Sequence, residues 1–389
     1  RRDVTRHILF IAIILFGLST GASVFSAETV KIASIHGFSG IASVSNRASY
    51  IGVRLGVEEV NRRGGILGHP IELIELDNRS TPIGSKIAAN QAVESKVVAI
   101  IGPSWSSHSI AAAKVAQLAG IPMIATDSTH EKVTRIGDYI FRVCYTDPFQ
   151  GQAMAQFSVS ELNAKTASII IDTTSDYSIG LAEVFTKSFQ KLGGHIDKQV
   201  HYKYQQAHFR KEMEALQQVD SDVLFIPGHD ESAAIILEAV KVGIKSIPLG
   251  CDGWSTSDFF VKGGNKVPLG YYSTHWSEDV QTTRSQQFVQ LYKNNQYALS
   301  SEPLGYDAVL LLADAATRAM SLQPEQLKIA LQETANFQGV TGDISFNEFG
   351  DPLKTMVVMR IDEGEVQYLK SIAPKPQVSS ENDGNKESD

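Results

Sequence analysis

Ser106 and Ser107 stand where an apolar run, Val97 to Ile101, breaks at Gly102-Pro103 and opens through a hydroxyl-rich loop into a helix. Backbone N–H groups at a helix start lack intrahelical partners and carry the positive end of the helix dipole. With flanking hydroxyls they make a cradle for a carboxylate or phosphate. The pattern recurs one strand later, where Ile121 to Ala125 breaks into Thr126-Asp127-Ser128-Thr129. Further along, Ser175, Asp176 and Tyr177 follow a strand ending at Asp172, His229 and Asp230 follow Pro227-Gly228, and Asp252 follows Gly250-Cys251. Hydroxyls and N–H groups on one side, with an acid and an aromatic on the other, suit a zwitterion whose ammonium sits against Asp252 and whose carboxylate sits in the serine loop.

Such loops need strands to hold them. From Thr29 onward short apolar strands alternate with amphipathic helices, which predicts parallel sheets covered by helices, with ligands bound beyond the carboxyl ends of the strands. Val30–Ile35 is the first strand. The helix from Ala48 puts Tyr50, Val53, Val57 and Val60 on one face and stops at Gly64-Gly65. Thr81-Pro82 caps and starts the next helix, with proline where its missing N–H costs nothing. A second run of the same alternation extends from Phe149 to Leu249. The helices 282–292 and 304–320 return to the first lobe, and the strands 355–361 and 365–369 go back to the second. The expected lobes are 28–144 plus 276–352 and 145–275 plus 353–372, joined by a three-strand hinge.

The 389 residues are 43% hydrophobic and 20% charged, with a net charge of −8. That balance suits a globular chain of two domains, and it argues against nucleic acid or anionic lipid as a partner, which would need clustered Lys and Arg. Arg1, Arg2 and Arg6, the aliphatic run Ile8–Phe16 and the small residues up to Ala27 read as a secretory signal peptide over 1–27. The apolar run is roughly half of the ~20 residues that a membrane span needs. No cysteine precedes Cys144, which argues against a lipidated amino terminus, and 373–389 is too poor in apolar residues to order itself. An exported compartment permits a disulfide between Cys144 and Cys251 without deciding whether they meet. No metal spacing and no cofactor motif is present. Ile35 to Gly40 lacks the spacing of a dinucleotide loop, and no nucleophile elbow occurs, so an enzyme is not expected. His108, His130, His195, His201, His208 and His275 read as ordinary surface residues, and Glu58-Glu59 with Arg62-Arg63 as a solvated helix face.

From about Glu28 to Ile372 the chain resembles the branched-chain amino-acid-binding proteins of ABC transporters, which have the type I periplasmic binding fold: two doubly wound parallel-sheet α/β lobes. Several segments carry the likeness in order. They include Phe38-Ser39-Gly40, Gly64-Gly65-Ile66-Leu67-Gly68, Ile100-Ile101-Gly102-Pro103 and Gly120-Ile121-Pro122. Asp176-Tyr177-Ser178-Ile179-Gly180, Pro227-Gly228, Gly305-Tyr306-Asp307-Ala308 and Gly339-Val340-Thr341-Gly342 follow. The resemblance implies that Ser106 holds the ligand carboxylate with Ser107 beside it. It implies that Thr129 contributes its amide and hydroxyl, that Asp127 contributes a carbonyl next to Ser128, and that Tyr177 and Asp252 meet the ammonium side. His229 stands where many members have an aromatic, Ser45 beside Asn46 replaces another aromatic, and Trp105 stands where some relatives have a cysteine. These departures alter the wall around the ligand side chain. The implied protein is a monomeric periplasmic solute-binding protein that delivers an amino acid, branched-chain or similar, to permease subunits. The alternatives are short amides or urea, an aromatic acid, or service as a sensor subunit.

Overall fold

The computed structural model describes residues 28–292 and 299–374, so the signal-peptide segment and nearly all of the expected tail lie outside the described residues. The first sheet contains β1 (Val30–His36), β2 (Ile71–Asp77), β3 (Ala99–Ile101), β4 (Met123–Ala125) and β5 (Ile140–Arg142), all parallel, in the order β2-β1-β3-β4-β5. β3, β4 and β5 are buried throughout, as strands covered by helices on both faces must be. The second sheet contains β6 (Thr166–Asp172), β7 (His195–Tyr202), β8 (Val223–Phe225), β9 (Ile247–Gly250) and β10 (Leu269–Thr274). β11 (Phe337–Gly339) and β12 (Gly342–Ile344) form a small hairpin, and β13 (Met356–Asp362) and β14 (Glu365–Ile372) join the second sheet antiparallel, giving β14-β13-β10-β9-β8-β6-β7.

In each sheet the first parallel strand lies between the second and the third. Successive crossovers therefore leave it in opposite directions, and the loops after β1 and β3, and after β6 and β8, diverge at the carboxyl edge to leave a crevice. The chain passes between the sheets after β5, after β10 and again before β13.

On one face of the first sheet Val53, Val57 and Val60 meet Leu304, Val309 and Leu312. The 43–62 and 301–319 helices cross closely there: a Cβ on Gly52 would fall 1.8 Å from the Glu302 carbonyl oxygen, and one on Gly305 would fall 2.1 Å from that of Ser49. The opposite face packs alanines, Ala88, Ala89 and Ala92 against Ala112, Ala113 and Ala116. Two further clusters sandwich the second sheet.

The first helix begins at Ser43, five residues before the apolar pattern suggests. Its opening turns carry buried Ser45 and Asn46, whose place is set by the crevice and not by the core. Glu59 corrects the expectation of a solvated face: it is 4% exposed and held by Arg62 and Arg63. The Thr81 cap is present, its hydroxyl accepting from Gly84 N at 2.9 Å with Pro82 starting the helix. Cys144 and Cys251 are both free and buried. Burial holds both thiols well above their usual pKa, so the reactive thiolate is scarce. Ellman's reagent should leave both unmodified in the native protein and titrate both after denaturation. Rapid native labelling would contradict this burial. Among the described residues no helix is long and apolar enough to cross a membrane.

Candidate functional site

β3 is followed by Gly102, whose φ of +89° turns the chain sharply, and Trp105 occupies the cap position of the 106–119 helix without a side-chain cap bond. The first-turn N–H groups are therefore not capped by that side chain. The Ser106 hydroxyl accepts from His130 N at 3.3 Å, tying this loop to the one after β4. Buried Arg142 fixes that second loop from below, donating to the Ser128 carbonyl at 2.6 Å and the His130 carbonyl at 3.0 Å while pairing with Asp351 at 2.7 Å.

From the second sheet, Asp252 opens a short turn after β9. Its Oδ1 accepts from the Tyr177 hydroxyl at 2.9 Å and from Gln150 Nε2 at 2.9 Å, and its Oδ2 lies 3.1 Å from His275 Nε2. Gln150 is itself fixed, donating to Asp147 Oδ1 at 2.8 Å and accepting from the Ser273 hydroxyl at 3.0 Å. Burial alone would raise the Asp252 pKa, but the bonds from His275, Gln150 and Tyr177 and the charge of the imidazole hold it below the ordinary value, so it is ionised at neutral pH. Burial pushes Asp127 the other way, up, against the hydroxyls of Ser301, Thr126 and Ser49 and the nearby His275. Asp147 is raised to about 7, first by burial and then by the charge of Asp252.

Ser45, Trp105, Ser106, Asp127, Tyr177, His229 and Asp252 line one cavity of about 40 Å³. Three other expected site residues do not line it. The Ser128 hydroxyl is used inside its loop, meeting Ser109 Oγ at 2.6 Å and the Ser104 carbonyl at 2.8 Å. Ser107 instead spans the crevice, donating to Asp176 Oδ2 at 3.0 Å. Thr129 is fully buried beneath the wall, its hydroxyl without a hydrogen-bond partner and beside the Asp147 carboxyl. Asp127, expected through its backbone, lines the cavity, and its buried Oδ2 is unpartnered.

The crevice is shut over this cavity. Trp105 stacks on His229 with centroids 4.4 Å apart and meets Tyr204 edge-on at 5.6 Å, and His108 covers its other side at 5.4 Å. A larger concavity of about 820 Å³ follows the passages between the sheets, lined in part by Tyr145, Thr146 and Lys354, and includes none of the residues that face the small cavity.

Sequence reasoning missed Asn46, Ser104, Thr256, His275, Ser300 and Ser301, all on the lining. The histidine expectation is corrected at three positions: His275 is 3% exposed and bonded to Asp252, His108 is 3% exposed under Trp105, and His130 is 8% exposed. The first was findable, because His275 directly follows β10 at the carboxyl edge of a parallel sheet, where the other site loops lie. Among the described residues no cluster has the makings of a metal site.

A family model described as periplasmic binding protein matches residues 29–365. The Leu/Ile/Val-binding protein homolog 1 of Brucella abortus is 26% identical over 377 residues, 95% of this chain and 100% of its own. Among solved structures, the leucine-binding protein LivK of Thermotoga maritima is 33% identical with a TM-score of 0.85, over 89% of this chain and 99% of that one. The branched-chain amino acid transporter substrate-binding protein LivJ of Streptococcus pneumoniae, in complex with isoleucine, is 29% identical with a TM-score of 0.84, over 89% and 100%.

Proposed function

Because this chain belongs to the periplasmic binding protein family, we propose that it captures an amino acid between its two sheets and delivers it to the permease of an ABC transporter. One observation carries this: the start of the 106–119 helix and the ionised Asp252 face the same small cavity from opposite sheets. Ser106 and the first-turn N–H groups take the carboxylate. Asp252 takes the ammonium, with the Thr129 hydroxyl and amide close behind the wall. Trp105, Tyr177, His229, Ser45 and the Asp127 side chain surround the rest of the ligand, while Ser107 and Ser128 act on the closure and on the loop.

The moving units are 28–144 with 276–352 and 145–275 with 353–372, turning about the passages that link the sheets. Closure follows from differential affinity, since a ligand shifts an open–closed equilibrium only by binding one form better. The protein acts as an exported monomer and makes or breaks no bond. The names of its relatives make leucine, isoleucine and valine the reference ligands.

A thermal-shift series with the twenty amino acids tests the proposal. A true ligand at 100 times its Kd adds about 2.7 kcal/mol to the folded form and raises the melting point. If no amino acid shifts the transition, the proposal fails.

A further inference from the structure

We infer that the ligand, taken to be an amino acid as proposed, carries a hydrogen-bonding side chain of the serine, threonine or asparagine kind in preference to an aliphatic one. No aliphatic side chain lines the cavity among the described residues. Its large flat surfaces are the rings of Trp105, Tyr177 and His229, and the remaining edges are polar, with Ser45, Asn46 and Thr256 among them. Buried polar groups that meet a methyl group give up water and get nothing back, so a wall of this composition rejects an aliphatic side chain and rewards one that bonds to it.

Two side chains of the lining each hold an unused polar atom. Asp127 Oδ2 and His275 Nδ1 are buried without a partner, and both residues line the cavity. His275 Nε2 is spent on Asp252, which leaves Nδ1 as the unused polar atom of the ring. Asp252 already takes three of the roughly four bonds its oxygens can accept. The ammonium thus saturates it, and a donor on the ligand side chain falls to Asp127.

Isothermal titration of the purified protein with L-serine, L-threonine and L-asparagine against L-leucine, L-isoleucine and L-valine decides the matter. At least one polar amino acid is expected to bind tenfold or more tightly than all three aliphatic ones. The variant Asp127→Ala, or Asp127→Asn if the first does not fold, should lose that preference, with its affinity for the polar amino acids falling to the level of the aliphatic ones. Equal or tighter binding of the aliphatic amino acids, or an unchanged preference in the variant, overturns the inference and leaves amino-acid capture standing. Failure of every amino acid to bind overturns both.

Discussion

Replacing Asp252 by alanine should weaken amino-acid binding by roughly 30- to 4,000-fold, the equivalent of about 2 to 5 kcal/mol, because the ligand ammonium is then buried without its counter-charge. The side chain meets Tyr177, Gln150 and His275 at 2.9, 2.9 and 3.1 Å, so it is rigid before the ligand arrives and little ordering remains to be done on binding. Asp252→Asn separates charge from shape, since it keeps the volume and most of the hydrogen bonds. Both variants should lose affinity with the fold retained, as read by calorimetry and circular dichroism. An alanine variant that binds as tightly as the parent would remove Asp252 from the ammonium.

A second large effect belongs to Asp147, which is 2% exposed at the start of the 147–160 helix. Its carboxyl titrates near 7 in the folded chain against an ordinary 3.8, through burial first and the neighbouring Asp252 second. Between about pH 4 and pH 7 the folded protein keeps a proton that the unfolded chain has released. Stability is therefore fully present below pH 4 and falls as pH rises through that window, by on the order of 4 kcal/mol for three units at 1.36 kcal/mol each. Asp147→Asn removes the titration while keeping a bond to Gln150 possible. Urea midpoints measured at pH 4.5 and 8 should fall with pH more steeply in the parent than in the variant. Identical slopes would show that Asp147 is ionised in the native state throughout.

The alternation of strands and helices was legible because the central strands are short and apolar, and a resemblance running nearly the whole chain supplied their order. Ser106, Tyr177 and Asp252 were legible too, since each follows the carboxyl end of a parallel strand or begins the helix after it. What escaped depends on how distant segments meet. The start of the first helix escaped although Ser45 was expected at the site, because Ser45 and Asn46 are polar and the apolar period begins only after them. Ser107 and Asp176 are 69 positions apart, in the first turns of two different helices, and nothing local to either announces their bond. His275 lacks metal spacing, and its partner Asp252 is a neighbour only because β9 and β10 are paired.

The Gly52–Gly305 helix crossing has a consequence for the order of assembly. The 43–62 helix finds its partner about 250 positions later, whereas β6 through β10 lie within one uninterrupted stretch. As the chain emerges amino end first, the earliest-made half must wait with Val53, Val57 and Val60 uncovered, and the middle of the polypeptide consolidates before the beginning does.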